Sequence, residues 1–287
     1  YNKHGKTRRI NRMYQLEDLK GKANNIRKNI IKMVTEAKSG HPGGSLSSVE
    51  IATAIYFTQM DITKENMTST NRDRFVLSKG HASPLLYAVL AEKGLIEEEE
   101  LATFRKINSR LQGDPSMRKL PGVDMSTGSL GQGISCAVGM AMANKYNKDD
   151  HRIYTILGDG ECQEGQVWEA AMAAAHYKLD NLLAFVDHNC LQIDGNVKDV
   201  MNPTPLDEKF KAFGWNVIVL EDGNDLESVI AACEEAKKVK GKPTVVIAHT
   251  VKGKGVSFME NKANWHGSAP NAEQCAEALA ELEGGCK

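Results

Sequence analysis

Apolar residues Leu16, Leu19, Ala23, Ile26, Ile30 and Val34 recur at helical spacing and stop at Ser39-Gly40, ahead of Pro42, which predicts a long first helix delivering His41. Ser47-x-x-Glu50 has capping-box spacing in front of a second helix that runs through Phe57. A short strand over 74–77 leads to His81 and a helix over 84–93. Strand and helix patterns then alternate: strands at 153–157, 182–186, 217–220 and 245–248, helices near 166–177, 206–213 and 226–239. Such alternation with short connections predicts an α/β fold, a parallel sheet with helices on both faces. A last helix is expected over 271–282. No internal repeat and no separating linker is visible, so residues 13–287 are read as a single domain. The stretches 108–130 and 250–270 are too long for ordinary connections and are candidate binding loops.

Composition narrows the partners. The 287 residues are 41% hydrophobic and 25% charged, enough for a packed core and unlike a disordered chain. A net charge of −1 gives no field for nucleic acid or an anionic membrane. No apolar run approaches the ~18 residues of a membrane span, and no signal-peptide core is visible. The six cysteines form no C-x-x-C pair and sit mostly inside periodic segments, which suits reduced thiols in the cytoplasm. The basic stretch 1–12, ahead of Met13, reads as a tag, an upstream-start artefact or a disordered arm.

The chemistry concentrates at strand ends. Gly158-Asp159-Gly160 follows one predicted strand, and Asp187-His188-Asn189 ends the next, with Asn189 lying 30 positions after Asp159. That is one helical crossover, which sets Asp159 and Asn189 side by side at the carboxyl ends of neighbouring strands, where ligands of parallel sheets collect. A carboxylate oxygen, an amide oxygen and a backbone carbonyl just beyond them would meet the all-oxygen octahedron of Mg²⁺, completed by two phosphate oxygens and a water. Taken alone, Gly-Asp-Gly reads as a tight turn; the crossover and Asn189 turn it into a metal-diphosphate site.

Gly158-Asp159-Gly160 with Asn189 resembles the signature of thiamine diphosphate enzymes. Ser39-Gly40-His41-Pro42-Gly43-Gly44, the segment from Arg72 to Ala82 containing Ser78-Lys79-Gly80-His81, Thr127-Gly128-Ser129-Leu130-Gly131-Gln132-Gly133, and His266-Gly267 narrow the resemblance to the transketolase family. It covers about residues 16–270 in the family's order. The resemblance implies the diphosphate-domain fold, bound thiamine diphosphate, and Mg²⁺, or Ca²⁺ or Mn²⁺ in its place, held by Asp159, Asn189 and the Leu191 carbonyl. It assigns His41 to the substrate channel and His81 and His266 to the diphosphate and the border of the reactive centre. Gly128, Ser129 and Leu130 fall near the aminopyrimidine, Ile193 against the thiazolium, and Gly158 and Gly160 in the diphosphate turn. Glu164 matches an acidic cluster linking two cofactor sites across a dimer. His188 stays open because it adjoins a metal ligand, whereas His4, His151, His176 and His249 lie outside every motif.

One position departs from the family pattern. Many transketolases carry Gly-His-Pro in the long loop, and this chain reads Gly113-Asp114-Pro115. Asp114 either faces the donor sugar, accepting where a histidine would donate, or starts a solvent-facing Asp-Pro turn.

The family activates its cofactor with a glutamate from a pyrimidine-binding domain, for which this sequence offers no second α/β block. The resemblance therefore implies the N-terminal subunit of a split transketolase, acting on sugar phosphates and expected as α2β2 with a C-terminal subunit. A 2-oxo acid dehydrogenase-like or 1-deoxyxylulose-phosphate synthase-like subunit, or a non-catalytic cofactor-binding protein, would share the metal motif.

Overall fold

The computed structural model describes residues 16–284, so the arm expected at 1–12 and the last three residues lie outside the described residues. Helices α1 (Leu16–Ala37), α2 (Pro42–Leu46) and α3 (Val49–Ala54) come first, then β1 (Arg74–Leu77), α4 (Ser83–Glu92) and α5 (Gln132–Asn147). The alternating half follows: β2 (Ile153–Gly158), α6 (Gly165–His176), β3 (Leu182–His188), a ribbon of β4 (Leu191–Gln192) and β5 (Gly195–Asn196), and α7 (Val197–Met201). It ends with α8 (Leu206–Ala212), β6 (Asn216–Leu220), α9 (Leu226–Lys238), β7 (Thr244–His249) and α10 (Ala272–Gly284).

Five strands form one parallel sheet in the order β1-β2-β3-β7-β6. Side chains alternate between its faces, and each face has its own core. Tyr154, Ile156, Leu183, Phe185 and Val246 pack with Ile26 and Ile30 of α1 and with α4 and α9. Ile153, Leu157, Ala184, Val186, Val245 and Ile247 pack with Ile134 and Val138 of α5, Val167 and Ala171 of α6, and Phe210 of α8. Helices therefore cover both faces, as the alternation predicts.

Several details differ from the sequence reading. Helix α5, the short helices α2 and α7 and the β4–β5 ribbon stand where the sequence pattern announces no element. The capping box does not form: the helix after Ser47 starts at Val49 without a side-chain cap, and Ser47 Oγ instead donates to Asp187, 2.7 Å away. Glu50, the expected reciprocal partner, is taken by Arg27 of α1 and by Asn224. That helix also ends as α-helix at Ala54 and continues as one π-turn, Ile55–Gln59.

Candidate active site

The carboxyl ends of β2 and β3 open into a cleft of about 280 Å³. Register places Gly158 opposite Asp187, and the Asp159 N–H continues the ladder to the Asp187 carbonyl. Asp159 and Asn189 thus meet at adjacent strand ends, both buried. The Asp159 carboxylate accepts from the Gly160 N–H at 2.7 Å and the Cys190 N–H at 2.6 Å. Burial, followed by the charge of Asp187, nevertheless pushes its carboxyl up to about 7. Asn189 Oδ1 accepts from the Leu191 N–H, and its amide donates to Asp187. Asp159, Asn189 and Leu191 all line the cleft.

Beneath them lies a buried polar layer. Lys79, 1% exposed, donates to the Gly44 carbonyl, Ser48 Oγ and Asp187 Oδ2 at 2.6–2.7 Å, which uses all three ammonium hydrogens. Asp187, 0% exposed, also accepts from Ser47, Asn189 and Thr250. Burial alone would raise its carboxyl; Lys79 and these hydrogen bonds hold it below the ordinary value. Glu161, buried within the same turn as Asp159, ties three elements together, accepting from Ser78 Oγ after β1 and from the Gly131 and Gly158 N–H groups. Burial raises its carboxyl.

A second cation stands over the cleft. Lys252 Nζ donates to the Leu191 carbonyl at 2.8 Å and lies 2.9 Å from His266 Nδ1. Burial brings its ammonium down to about 8, against the pull of Asp187 and Asp159. The long 250–270 loop is where a sequence signal for Lys252 could be sought, but a lone lysine in a loop carries no spacing that marks it.

Three histidines from separate segments converge. His41 stands just before α2 without a capping hydrogen bond from its side chain, His81 lies in the 3-10 turn after β1, and His266 follows another 3-10 turn, with ring centroids 5.2–5.5 Å apart. Burial, aided by Lys252, takes His266 down to about 3, and burial with Lys79 takes His81 well below its ordinary value. His41 is lowered by burial and by Arg105. All three are neutral at neutral pH. His41 Nδ1 is buried without a hydrogen-bond partner.

Gly128, Leu130, Gly158, Gly160 and Ile193 line the same cleft. Gly128 has φ +152°, and a Cβ there would come 3.0 Å from Asp114 Cγ, so the Asp114 side chain lies against that glycine. Asp114 is exposed, yet its charge reaches His41 and Tyr87. Ser129 and Glu164 are exposed and off the cleft wall; Glu164 precedes α6 and packs beside Gly131.

The donors fit a hard divalent cation. One carboxylate, one amide oxygen and one carbonyl form an all-oxygen set of the kind such a cation takes. The Leu191 carbonyl has a second lone pair beyond the one Lys252 uses.

Residues 19–283 match the family described as transketolase, thiamine diphosphate binding domain. The chain is 46% identical over 266 residues to the 6-deoxy-6-sulfo-D-fructose transketolase subunit SqwG of Clostridium sp., covering 93% of this chain and 96% of that protein. It is 43% identical over 268 residues to an apulose-4-phosphate transketolase subunit of Phocaeicola vulgatus, covering 93% and 95%. Transketolase from Campylobacter jejuni superimposes with a TM-score of 0.87 at 36% identity, covering 94% of this chain and 43% of that one. The chain therefore spans about two fifths of that solved transketolase and nearly all of the two relatives that are subunits. With its sheet, its strand-end cleft and these matches together, the chain belongs to the transketolase family and carries that family's thiamine diphosphate-binding domain.

Proposed function

We propose that this chain is the diphosphate-binding subunit of a split transketolase, transferring a two-carbon ketol unit from a ketose or ketose phosphate to an aldose acceptor. The observation that carries this reading is the convergence of Asp159, Asn189 and Leu191 with three neutral histidines and Lys252 on one cleft. Asp159, Asn189 and the Leu191 carbonyl would hold Mg²⁺, or Ca²⁺ or Mn²⁺ in its place. His81, His266 and Lys252 would face the diphosphate, with Gly158 and Gly160 allowing it close to the backbone. Gly128, Ser129 and Leu130 would border the aminopyrimidine, and Ile193 the thiazolium. Glu164, exposed before α6, would reach across a dimer to the second cofactor site.

When bound, thiamine diphosphate supplies the electron sink for carbon–carbon cleavage. The chain supplies geometry and proton handling. A neutral imidazole both accepts and donates, so His41, His81 and His266 can relay a proton at the reacting carbon or hydrogen-bond a substrate hydroxyl. Their depressed basicity keeps them in that form through the neutral range.

The two relatives that are themselves named as transketolase subunits support a separate partner, a C-terminal subunit with the pyrimidine-binding domain, in an α2β2 assembly. The pentose phosphate route is the family's usual context. The five described cysteines are free, and no described helix is long and apolar enough to cross a membrane, which supports a cytoplasmic setting. Residues 13–287 act as one domain in this reading, and both faces of the sheet share it.

Calorimetry on the complete assembly tests the metal assignment. Asp159→Ala or Asn189→Ala should abolish Mg²⁺-dependent cofactor binding while the circular dichroism spectrum is kept, because both residues stand at strand ends outside the two cores. Unchanged affinity in either variant would remove that residue from the metal site.

Asp114 is proposed to face the donor sugar, supported by its place over Gly128 and its field at His41. Asp114→His should shift the kcat/KM ratio between two ketose donors by the equivalent of about 1–3 kcal/mol. Identical ratios in Asp114→His, Asp114→Ala and the parent would reduce Asp114 to a turn residue.

A further inference from the structure

Beside the oxygen donors sits a second, chemically different set. His188 is the last residue of β3, and Cys190 lies two positions on, in left-handed backbone with φ +64°. One Asp159 carboxylate oxygen, one His188 ring nitrogen and the Cys190 sulfur all lie within 4.8 Å of one another. Among the described residues no other group of histidine, cysteine and carboxylate side chains comes together this way. His188 Nδ1 is buried and makes no hydrogen bond, an unspent polar atom of the kind a ligand satisfies. The Cys190 backbone already belongs to the site, since its N–H holds Asp159. Its sulfur and the His188 ring are used by nothing in the proposed reaction.

Oxygen, nitrogen and sulfur together are a poor set for Mg²⁺ and a good one for zinc-class cations, which prefer imidazole and thiolate. Bonds of about 2.0–2.3 Å in a tetrahedron place donors roughly 3.3–3.8 Å apart. The present spread therefore needs to close by about 1 Å, within reach of side-chain rotation at half-buried His188 and Cys190.

We propose that Asp159, His188 and Cys190 form a binding site for thiophilic divalent cations such as Zn²⁺, with water in the fourth position. As the cation binds, the Cys190 thiol proton passes to solvent and the thiolate coordinates. Because the Asp159 carboxylate belongs to both sets, the thiophilic cation displaces the hard one, and cofactor loading is sensitive to zinc. That last consequence rests on the proposed role of Asp159 as the Mg²⁺ ligand; the soft-metal site itself does not.

Cobalt(II) added to the full chain reads the site directly. One Co²⁺ per chain should bind with a thiolate-to-metal charge-transfer band. Cys190→Ser should abolish the band, and His188→Gln, which leaves the turn residue in place, should weaken Co²⁺ binding by at least about tenfold. No band, or a band that survives Cys190→Ser, overturns the site. On the complete assembly, Co²⁺ should lower the affinity for Mg²⁺ with thiamine diphosphate in the parent but not in Cys190→Ser. A band that is unchanged at saturating Mg²⁺ and cofactor overturns the shared ligand. Failure of the Co²⁺-free parent assembly to bind Mg²⁺ and cofactor would instead strike the reading of Asp159 while leaving the band intact.

Discussion

At the scale of single residues, the cleft depends on a buried ion pair to which the sequence motifs give no role. Lys79 and Asp187 are an ion pair buried at 1% and 0% exposure, and every hydrogen of the ammonium is spent. Deleting one partner of such a pair strands the other, which costs about 3–5 kcal/mol, far more than the pair is worth against apolar substitutes. Lys79→Met should therefore lower the unfolding free energy by about that amount in urea titration. Adding Asp187→Asn should recover part of the loss, because the amide no longer carries an unpaired buried charge and Thr250 can rotate to accept from it. If the two losses merely add, the pairing argument fails. Asp159, Asn189 and the three histidines are legible in the sequence because each sits in a short motif at an element end. The burial and pairing of Lys79, which stands inside Ser78-Lys79-Gly80-His81, and of Lys252 are not, because a buried lysine is recognised by what surrounds it. Ser47 misleads for the same reason: its spacing to Glu50 suits a cap, but Asp187, remote in sequence, offers a better acceptor.

At the scale of elements, the strands and most helices announce themselves within a residue or two, since alternating apolar runs and amphipathic stretches have few other uses. The exceptions are the short α2, α7 and β4–β5 ribbon, and α5, the one long element among them. Its buried Ile134, Ala137, Val138 and Ala141 do recur at helical spacing, but Met140 and Met142, partly buried against the same core, widen the apolar side and blur the stripe. What fixes its position is close approach. A Cβ on Gly133 would lie 2.6 Å from Ser78 Cα, so only glycine lets the start of α5 sit against the end of β1. That contact also delivers the Gly131 N–H to Glu161. A Cβ on Gly139, in the same helix, would meet nothing within 4 Å, so this position is free to change. Gly139→Ala should raise stability by about 0.5–1 kcal/mol, the usual helix gain over glycine. Gly133→Ala should lower it by about 1–3 kcal/mol, as overpacking does, and weaken cofactor binding in the assembly. Equal effects of the two substitutions on melting temperature would show that the Ser78 contact does not constrain the helix.

At the scale of the whole molecule, several large apolar side chains stay exposed. Ile193 on the cleft, Met201 at the end of α7 and Met172 on α6 are 61–64% exposed, and Tyr146 at the end of α5 is 89% exposed. Single exposed apolar residues are ordinary, but Ile193 stands on the wall of the cleft and Met201 accepts, through its carbonyl, from Gln163 beside it. In the proposed α2β2 enzyme, the pyrimidine half of each cofactor is enclosed by the C-terminal subunit, and we propose that the enclosure closes over Ile193 and Met201. The chain alone should then show ketol transfer no faster than a cofactor-only control, and a complementary C-terminal subunit should restore turnover. Oxidative footprinting gives an independent readout: Met201 should be protected on assembly, while Met117, 50% exposed on the long loop, reports whether that loop closes as well. Robust turnover by the chain purified to homogeneity would overturn the need for a partner. Restored turnover with Met201 as reactive as before would keep the partner and move its contact away from the cleft's outer edge. Protection and turnover rising together, with the same dependence on the added partner, are the expected result.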